Sequence, residues 1–417
     1  MPATLTSETL APNCEPSEAG FDGERLGRIA THLDTYVASQ KLPGYSVAIS
    51  RNGKRPYIHT SGLRDMEAGL PVETDTIFRI YSMTKPITTV AAMMLYERGL
   101  FDINDPVAKF IPSFGESRVY LRGPSTNPGS VPQQLPMTVK HLMTHTAGLT
   151  YGFANANGID NLYRQAGYEW GTPKGVDLAA ACDTWASMPL LFQPGSEWNY
   201  SVATDVLGRV VEVVSGQSLD VFIAENITGP LGMHETSFWP TDEQADRFAA
   251  LYAPRSGTKT AFRIDALGKR LDQPPLMLSG GGGMVSTLGD YLRFTEMLQG
   301  GGVRDGVRLL GNRTLAFMAS NHLPGGALLS QVGRPLFSET NNEGTGFGLG
   351  FSVVVDPIAT GSPCSKGEFA WGGAASTAFW IDPVENLSVV FMTQLLPSST
   401  WPVRNELRRL IYSALVD

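Results

Sequence analysis

Residues 77–99 read IFRIYSMTKPITTVAAMMLYERG, a short apolar run followed by a Ser-x-x-Lys motif and a longer apolar run. The pattern predicts a strand up to Tyr81 and a helix over residues 86–98 that Gly99 ends at the C′ position. Proline is tolerated in the first turn of a helix, because the N–H group it lacks would have no partner there. The segment therefore predicts that Ser82 lies where a strand meets the start of a helix.

Ser82 and Lys85 form an i,i+3 pair, so the hydroxyl and the amine share one face of the predicted helix. The free N–H groups of a helix N-terminus favour an oxyanion. A lysine there opposes the helix dipole at a cost of ~0.3–1 kcal/mol, which is unfavourable for a structural lysine. The same position lowers the pKa of an amine that must accept a proton. A second match, Ser256-Gly-Thr-Lys259, lies in a polar stretch without a helix behind it, and we treat it as chance.

The composition of the 417-residue chain is that of a globular protein, with 42% hydrophobic and 17% charged residues and a net charge of -8. No Lys/Arg-rich run is present, so we expect no nucleic-acid partner. No apolar stretch approaches ~20 residues, so we expect no membrane partner. Three scattered cysteines indicate neither a disulfide framework nor a metal cluster. The first residues lack the pattern of an export signal, so we expect a cytoplasmic protein that needs no cofactor.

Both ends of the chain carry strand patterns. An amphipathic helix is predicted over residues 20–40, followed by a hairpin whose turn is Asn52-Gly53. Further strands are predicted near the C-terminus, before a final helix; these elements cover residues 350–356, 375–381, 387–393 and 403–415.

The middle of the chain is helical and rich in loops. The simplest architecture is an α/β (α+β) fold in which an antiparallel sheet is flanked by helices and a helical domain is inserted. We expect residues 1–100 and 250–417 to form the α/β domain and residues 101–249 the mainly helical domain. The active site is expected in the cleft between them.

Ser-x-x-Lys is the nucleophile motif of the penicillin-binding protein and β-lactamase superfamily. The chain resembles the class C β-lactamase branch of that superfamily, and most closely the family VIII carboxylesterases. The resemblance implies a serine β-lactamase-like fold and a serine nucleophile. It rests on five motifs in the expected order, FRIYSMTK (78–85), HLMTHTAGL (141–149), PGSEWNYS (194–201), GGGGMVST (280–287) and WGG (371–373).

The resemblance implies that Ser82, Lys85 and Tyr200 are the catalytic residues. A base must take the proton of Ser82, and a phenol with an ordinary pKa of ~10 serves if a nearby lysine lowers that pKa. Tyr200-Ser201-Val202 stands where lactamases have Tyr-x-Asn. The resemblance places Val202 at the substrate, and a valine lacks the amide that would contact a β-lactam.

Trp371-Gly372-Gly373-Ala374 stands where lactamases carry Lys-Thr-Gly on a sheet-edge strand. The lysine that pairs with a β-lactam carboxylate is absent, which favours neutral esters. Glycines allow a substrate to approach the strand backbone closely. By resemblance, Trp371, Gly372 and Gly373 bind substrate, and the N–H group of Ala374 joins that of Ser82 as the oxyanion hole.

Other motifs are interpreted as structural. His141 and His145 have i,i+4 spacing, but no glutamate follows the first histidine and no third ligand is evident, so no metal is expected. No serine has Gly-x-Ser-x-Gly flanks. The glycine-rich run from Gly344 predicts the entry to a strand, and Gly280–Gly283 predicts a place where two backbone segments pack closely.

We therefore expect an enzyme that cleaves carboxylic esters with short to medium acyl chains through an acyl-enzyme on Ser82. Its partner is a small-molecule ester, and side activity on β-lactams such as cephalosporins is expected. Three alternatives remain open: a β-lactamase or DD-peptidase, an acyltransferase, and an inactive ligand-binding relative. The sequence leaves the natural substrate and the oligomeric state undetermined.

Overall fold

The computed structural model describes residues 10–268, 270, 273–334, 339–340, 342–398 and 400–416. The strands are β1 Gly44–Arg51, β2 Lys54–Asp65, β3 Leu70–Pro71, β4 Phe78–Arg79, β5 Arg118–Arg122, β6 Gly129–Pro132, β7 Tyr252–Pro254, β8 Ala261–Arg263, β9 Val285–Ser286, β10 Val303–Arg304, β11 Val307–Arg308, β12 Thr345–Phe347, β13 Ser352–Val354, β14 Phe369–Gly372, β15 Ala378–Asp382 and β16 Leu387–Thr393. The α-helices are α1 Gly23–Ala38, α2 Thr84–Glu97, α3 Val139–Met143, α4 Gly158–Gln165, α5 Leu178–Ser187, α6 Ala203–Ser215, α7 Leu219–Ile223, α8 Asp265–Gly268, α9 Leu288–Gln299, α10 Asn312–Met318, α11 Leu329–Val332, α12 Pro357–Thr360 and α13 Val403–Tyr412.

An antiparallel sheet of eight strands has the order β12-β13-β14-β15-β16-β1-β2-β3. Its centre is the pairing of β1 with β16, which runs from Tyr45↔Thr393 to Arg51↔Leu387 and joins the two ends of the chain. The hairpin between β1 and β2 turns at Asn52 and Gly53, whose φ angles of 53° and 74° suit a tight two-residue turn. The predicted mixed α/β fold with a helix-flanked antiparallel sheet is therefore confirmed.

Helices cover both faces of this sheet. On one face, apolar side chains of α1 and α13, such as Leu33 and Leu407, pack against Val47 and Phe391. On the other face, α9 packs against β1, β15 and β16, and Val390 belongs to the same apolar cluster as the buried side chains of α9. Every residue of β1 is buried, because both of its faces are covered. This explains why the central strands appear in the sequence as nearly continuous apolar runs.

Helix α2 is the buried centre of the molecule, since all its residues from Thr84 to Leu95 are shielded from solvent. A helix that is buried all round needs neighbours on every side. Helices α6 and α7 both pack against α2. The short turn Tyr81–Met83 that precedes α2 contacts β14, which brings the start of the helix to the sheet.

The observed secondary structure differs from the expected one in three places. Ser82 lies in a 3₁₀ turn, Tyr81–Met83, that precedes α2. The strand expected over 350–356 is limited to β13, because Gly350 has a φ of 86° and breaks the extended backbone. The strand expected over 375–381 begins only at Ala378, after a turn at Ser376 with a φ of 73°.

The division into residues 1–100 plus 250–417 and residues 101–249 stays a prediction. Within the described residues, none of the helices combines the length and the apolar character that crossing a bilayer requires.

Truncation of Leu407 to alanine is expected to lower the free energy of unfolding by about 2–4 kcal/mol, because this fully buried side chain joins α13 to the sheet. The exposed Arg409 on the same helix provides the control, since Arg409→Ala is expected to change stability by less than about 0.5 kcal/mol. Urea denaturation followed by circular dichroism measures both values. Equal losses in the two variants would contradict this account of the core.

Candidate active site

The backbone around Ser82 is strained. Tyr81, directly before it, has a φ of 44°, in the left-handed region that a bulky residue rarely adopts. Such a conformation costs on the order of 1–3 kcal/mol and persists only where the surroundings impose it. The turn points the hydroxyl of Ser82 to the same side as the first turn of α2, and only 9% of the residue is exposed.

Lys85 lies in the first turn of α2 and is 1% exposed. Its Nζ donates hydrogen bonds to the carbonyl oxygen of Gly281 at 2.6 Å, to the hydroxyl of Tyr151 at 2.9 Å and to Oγ of Ser82 at 3.4 Å. Burial lowers the pKa of this amine to about 8, although the negative charges of Asp205 and Glu339 oppose the shift. A lysine that loses its proton this easily can act as a base near neutral pH.

Tyr200 precedes α6 and is 4% exposed. The Nζ of Lys85 lies 4.5 Å from the centre of its ring. The Tyr200 hydroxyl lies near Ser82 and the indole of Trp371, although neither contact has the geometry of a formed hydrogen bond. The structure therefore brings Tyr200 and Trp371, which are far away in the sequence, to Ser82 and Lys85.

The expectation that a lysine lowers the pKa of Tyr200 is wrong. Burial raises the pKa of this phenol well above its ordinary value, and the nearby Ser82 and Trp371 only partly oppose the increase. The amine of Lys85 faces the ring of Tyr200, while its hydrogen bonds go to other acceptors. Lys85 is consequently the group whose proton is easily lost, and Tyr200 is a neutral phenol.

Tyr151 is a neighbour of Lys85 that the sequence analysis did not identify. Besides accepting the hydrogen bond from Lys85, its ring packs edge-on against Tyr200 with the two centres 5.3 Å apart. Burial raises the pKa of this phenol well above its ordinary value too. Tyr151 lies two residues after the 141–149 motif, and no spacing rule connects it with Ser82.

The end of β14 lies against the turn that carries Ser82. The pairing of β13 with β14 ends at Ala370, so the edge of β14 beyond that residue is not paired with β13. A side chain at Gly373 would collide with the carbonyl oxygen of Ile80, so only glycine allows this approach. The indole of Trp371 is 2% exposed and packs on Tyr200 with the ring centres 5.5 Å apart.

The N–H groups of Ser82 and Ala374 donate no hydrogen bond to any described residue. Arg404 holds the turn that contains Ala374, because one of its terminal nitrogens donates to the carbonyl oxygens of Gly373 at 2.9 Å and Thr377 at 2.6 Å. Free backbone donors in a rigid turn are suited to a developing negative charge. The oxyanion role of these two N–H groups stays a prediction.

The remaining predicted site residues lie on the same elements. Gly372 belongs to β14, and its Cα faces the guanidinium of Arg404. Val202 is 5% exposed, and its N–H group donates to the carbonyl oxygen of Thr150 at 3.3 Å. The substrate-binding roles expected for Val202 and for the glycines of β14 stay predictions.

His141 and His145, the two histidines of the 141–149 motif, both make contacts within the folded protein. His145 is buried among aromatic rings, with Tyr200 the nearest at 5.0 Å between centres, and burial lowers its pKa well below the ordinary value. The Nδ1 of His141 accepts a hydrogen bond from the N–H group of Thr138 at 3.1 Å, which caps α3. Among the residues that the structure describes, no three His, Cys, Asp or Glu side chains form a group that could hold a metal ion.

Comparison with known proteins shows the family of the chain. The family model described as beta-lactamase matches residues 29–413. Esterase EstB of Burkholderia gladioli is 30% identical over 425 residues, which cover 98% of this chain and 100% of that protein. Monacolin J acid methylbutanoyltransferase of Aspergillus terreus is 28% identical over 410 residues, which cover 91% of this chain and 92% of that protein.

A solved structure extends the likeness to three dimensions. The structure of EstCE1, a hydrolase with promiscuous acyltransferase activity, has a TM-score of 0.76 and 27% sequence identity, and the match covers 94% of this chain and 99% of that one. The chain therefore belongs to the beta-lactamase family, and within the serine β-lactamase-like superfamily it is a serine hydrolase related to the family VIII esterases.

Proposed function

We propose that the protein is a carboxylesterase that hydrolyses small neutral esters through an acyl-enzyme on Ser82. The observation that carries the proposal is the buried amine of Lys85, which has a pKa of about 8 and lies 3.4 Å from Oγ of Ser82. A serine hydroxyl is a weak nucleophile unless an adjacent base removes its proton. The lysine is the nearest such base.

In the first step, Oγ of Ser82 attacks the carbonyl carbon of the ester while its proton passes to Lys85. The carbonyl oxygen becomes an oxyanion that the N–H groups of Ser82 and Ala374 stabilise. Loss of one such donor typically raises the barrier by about 3 kcal/mol. The tetrahedral intermediate then collapses, and the bond to the alcohol oxygen breaks.

The departing alkoxide needs a proton, and Tyr200 supplies it. Because the raised pKa keeps this phenol neutral, it can donate its proton and regain one from the protonated Lys85. In the second step, water gives a proton to the same pair and attacks the acyl-enzyme. The acid leaves, and Ser82 regains its hydrogen. The two side chains act as one unit, so their titration is a joint property.

The preference for esters over β-lactams rests on what the site lacks. Val202 offers no amide to a substrate, and Trp371 stands where a lactamase has the lysine that pairs with the β-lactam carboxylate. The esterase name of the 30% identical EstB supports the same preference. The acyl group is expected to be short to medium in length. Slow turnover of cephalosporins follows, since a β-lactam carbonyl suits the same nucleophile.

Acyl transfer to an alcohol is the second candidate. Its support is the 28% identity with monacolin J acid methylbutanoyltransferase, whose name describes such a transfer. The two functions share the first step and differ only in whether water or an alcohol attacks the acyl-enzyme. Product analysis therefore separates them.

Purified protein is expected to hydrolyse p-nitrophenyl butyrate at least about tenfold faster, by kcat/KM, than nitrocefin, because the groups that recognise a β-lactam are absent. Ser82→Ala is expected to abolish both activities. Release of p-nitrophenol and the absorbance change of nitrocefin provide the rates. A preference for nitrocefin would favour the lactamase alternative, and predominant transesterified product with butanol present would favour the acyltransferase.

Substitution of the two tyrosines is expected to have unequal effects. Tyr200→Phe should lower kcat/KM by about 10²–10⁴-fold, the usual contribution of a general acid–base group. Tyr151→Phe should lower it by less than about tenfold, because Lys85 keeps its hydrogen bond to the Gly281 carbonyl. The two variants are matched controls, since each removes one hydroxyl from an aromatic ring that lies beside Lys85. A larger loss for Tyr151→Phe than for Tyr200→Phe would contradict the assignment, because it would show that Tyr151 carries the proton.

The rate of acylation is expected to rise with pH through a midpoint near 8. The sign follows from the role of Lys85 as a base: it is active without its proton, and burial lowers its pKa to about 8. Measurement of kcat/KM from pH 5.5 to 10, with the Ser82→Ala protein as the blank, tests this. A profile that is flat over the range 7–9 would contradict it.

A further inference from the structure

Asp205 is a buried carboxylate that the proposed reaction does not use. It lies in the first turn of α6, five residues after Tyr200, and is 3% exposed. A carboxylate is rarely buried unless it is paired or accepts hydrogen bonds. Oδ1 of Asp205 accepts two: one from Oγ of Ser279 at 2.5 Å and one from the N–H group of Gly281 at 3.0 Å.

These hydrogen bonds connect Asp205 with the catalytic lysine through one residue. The N–H group of Gly281 is bound to Asp205, and the carbonyl oxygen of Gly281 accepts the 2.6 Å hydrogen bond from Lys85. The contact leaves no room for a side chain, because a Cβ at Gly281 would collide with Oδ2 of Asp205. The backbone of Gly281 is thus held at its N–H group by Asp205 and at its carbonyl oxygen by Lys85.

We propose that Asp205 is a positioning residue that orients the Gly281 carbonyl towards Lys85 and places a negative charge near the amine that accepts the proton of Ser82. The inference rests on the proposed function, because it concerns the base of that reaction. Segment 200–205 then has two tasks, since it provides the phenol at one end and the support of the lysine at the other.

The electrostatic part of the proposal concerns all the titratable groups around Lys85. Burial lowers the pKa of the amine, and Asp205 is the larger of two charges that oppose this effect, the other being Glu339. The phenols of Tyr151 and Tyr200 are neutral, since burial raises the pKa of each. His145 is also neutral, because burial lowers its pKa well below the ordinary value. Burial raises the pKa of Asp205 itself, and the charge of Lys85 and the hydrogen bonds from Ser279 and Gly281 oppose this increase. Where Asp205 is ionised, removal of its charge should therefore lower the pKa of Lys85 further.

Asp205→Asn separates charge from position. Both hydrogen bonds end on the same oxygen, so an asparagine amide oxygen can accept them while the charge is lost. Asp205→Ala removes both the charge and the acceptor. Asp290→Asn is the matched control, since Asp290 is also buried in the first turn of a helix, α9. One of its oxygens likewise accepts hydrogen bonds from a backbone N–H group and a hydroxyl, those of Glu235 and Thr236.

The experiment measures the rate at which a fluorophosphonate labels Ser82, as a function of pH, by intact-protein mass spectrometry. Asp205→Asn is expected to shift the acid limb of this profile by on the order of 0.5–1 pH unit to lower pH. The direction follows because a less basic lysine remains unprotonated at lower pH. Asp205→Ala is expected to reduce the maximal rate about 10- to 100-fold, and Asp205→Asn should restore most of it. Asp290→Asn should leave the profile unchanged.

The possible outcomes separate a failure of the proposed function from a failure of the role proposed for Asp205. Absence of labelling in the unmodified protein would refute the proposed function itself. With normal labelling in the unmodified protein, an unshifted limb in Asp205→Asn would overturn the electrostatic role of Asp205, and an unreduced maximal rate in Asp205→Ala would overturn its positioning role. If Asp205→Asn does not fold, Ser279→Ala replaces it, because Ser279 is only partly buried and its hydroxyl holds the carboxylate. An unchanged labelling rate in Ser279→Ala would likewise overturn the proposal.

Discussion

The chemistry of this site depends on keeping one amine out of water. Lys85 is 1% exposed, and burial lowers its pKa to about 8. Charged ammonium groups are costly to bury, so a fold that retains one must offer acceptors in fixed places. Here they are the carbonyl of Gly281, the hydroxyl of Tyr151 and Oγ of Ser82. The last of these contacts is the one through which, in the proposed reaction, the amine takes the proton of Ser82 once it has lost its own.

The rest of the fold creates the conditions for that burial. The sheet joins the two ends of the chain through β1 and β16. Its strand β14 contacts the turn before α2, and α6 packs against α2 itself. Two close approaches of backbone complete the site. Gly373 lets the end of β14 lie against Ile80, and Gly281 lets the glycine-rich loop lie against Asp205. In both cases a side chain would keep apart groups that must meet.

Local sequence patterns predicted much of the fold. The Asn52-Gly53 turn and the strand over 387–393 were predicted correctly, because hairpin chemistry and apolar runs act over short distances. Ser82 and Lys85 were predicted from the start of a helix, although Ser82 lies in a 3₁₀ turn. Tyr200 and Ala374 came from the resemblance, since no periodicity relates them to Ser82. The roles assigned to these four residues stay predictions.

What the sequence did not reveal depends on contacts between distant segments. Tyr151 and Asp205 are unremarkable in the sequence and acquire meaning only where they meet Lys85 and Gly281. The raised pKa of Tyr200 could not be foreseen either, because it follows from the burial of this side chain among segments that are distant in the sequence. The most direct test is an NMR titration of the protein with ¹³Cε-labelled lysines, in which the Lys85→Arg variant identifies the signal. The account predicts a midpoint for Lys85 near pH 8, and a midpoint near the ordinary lysine value of about 10.4 would contradict it.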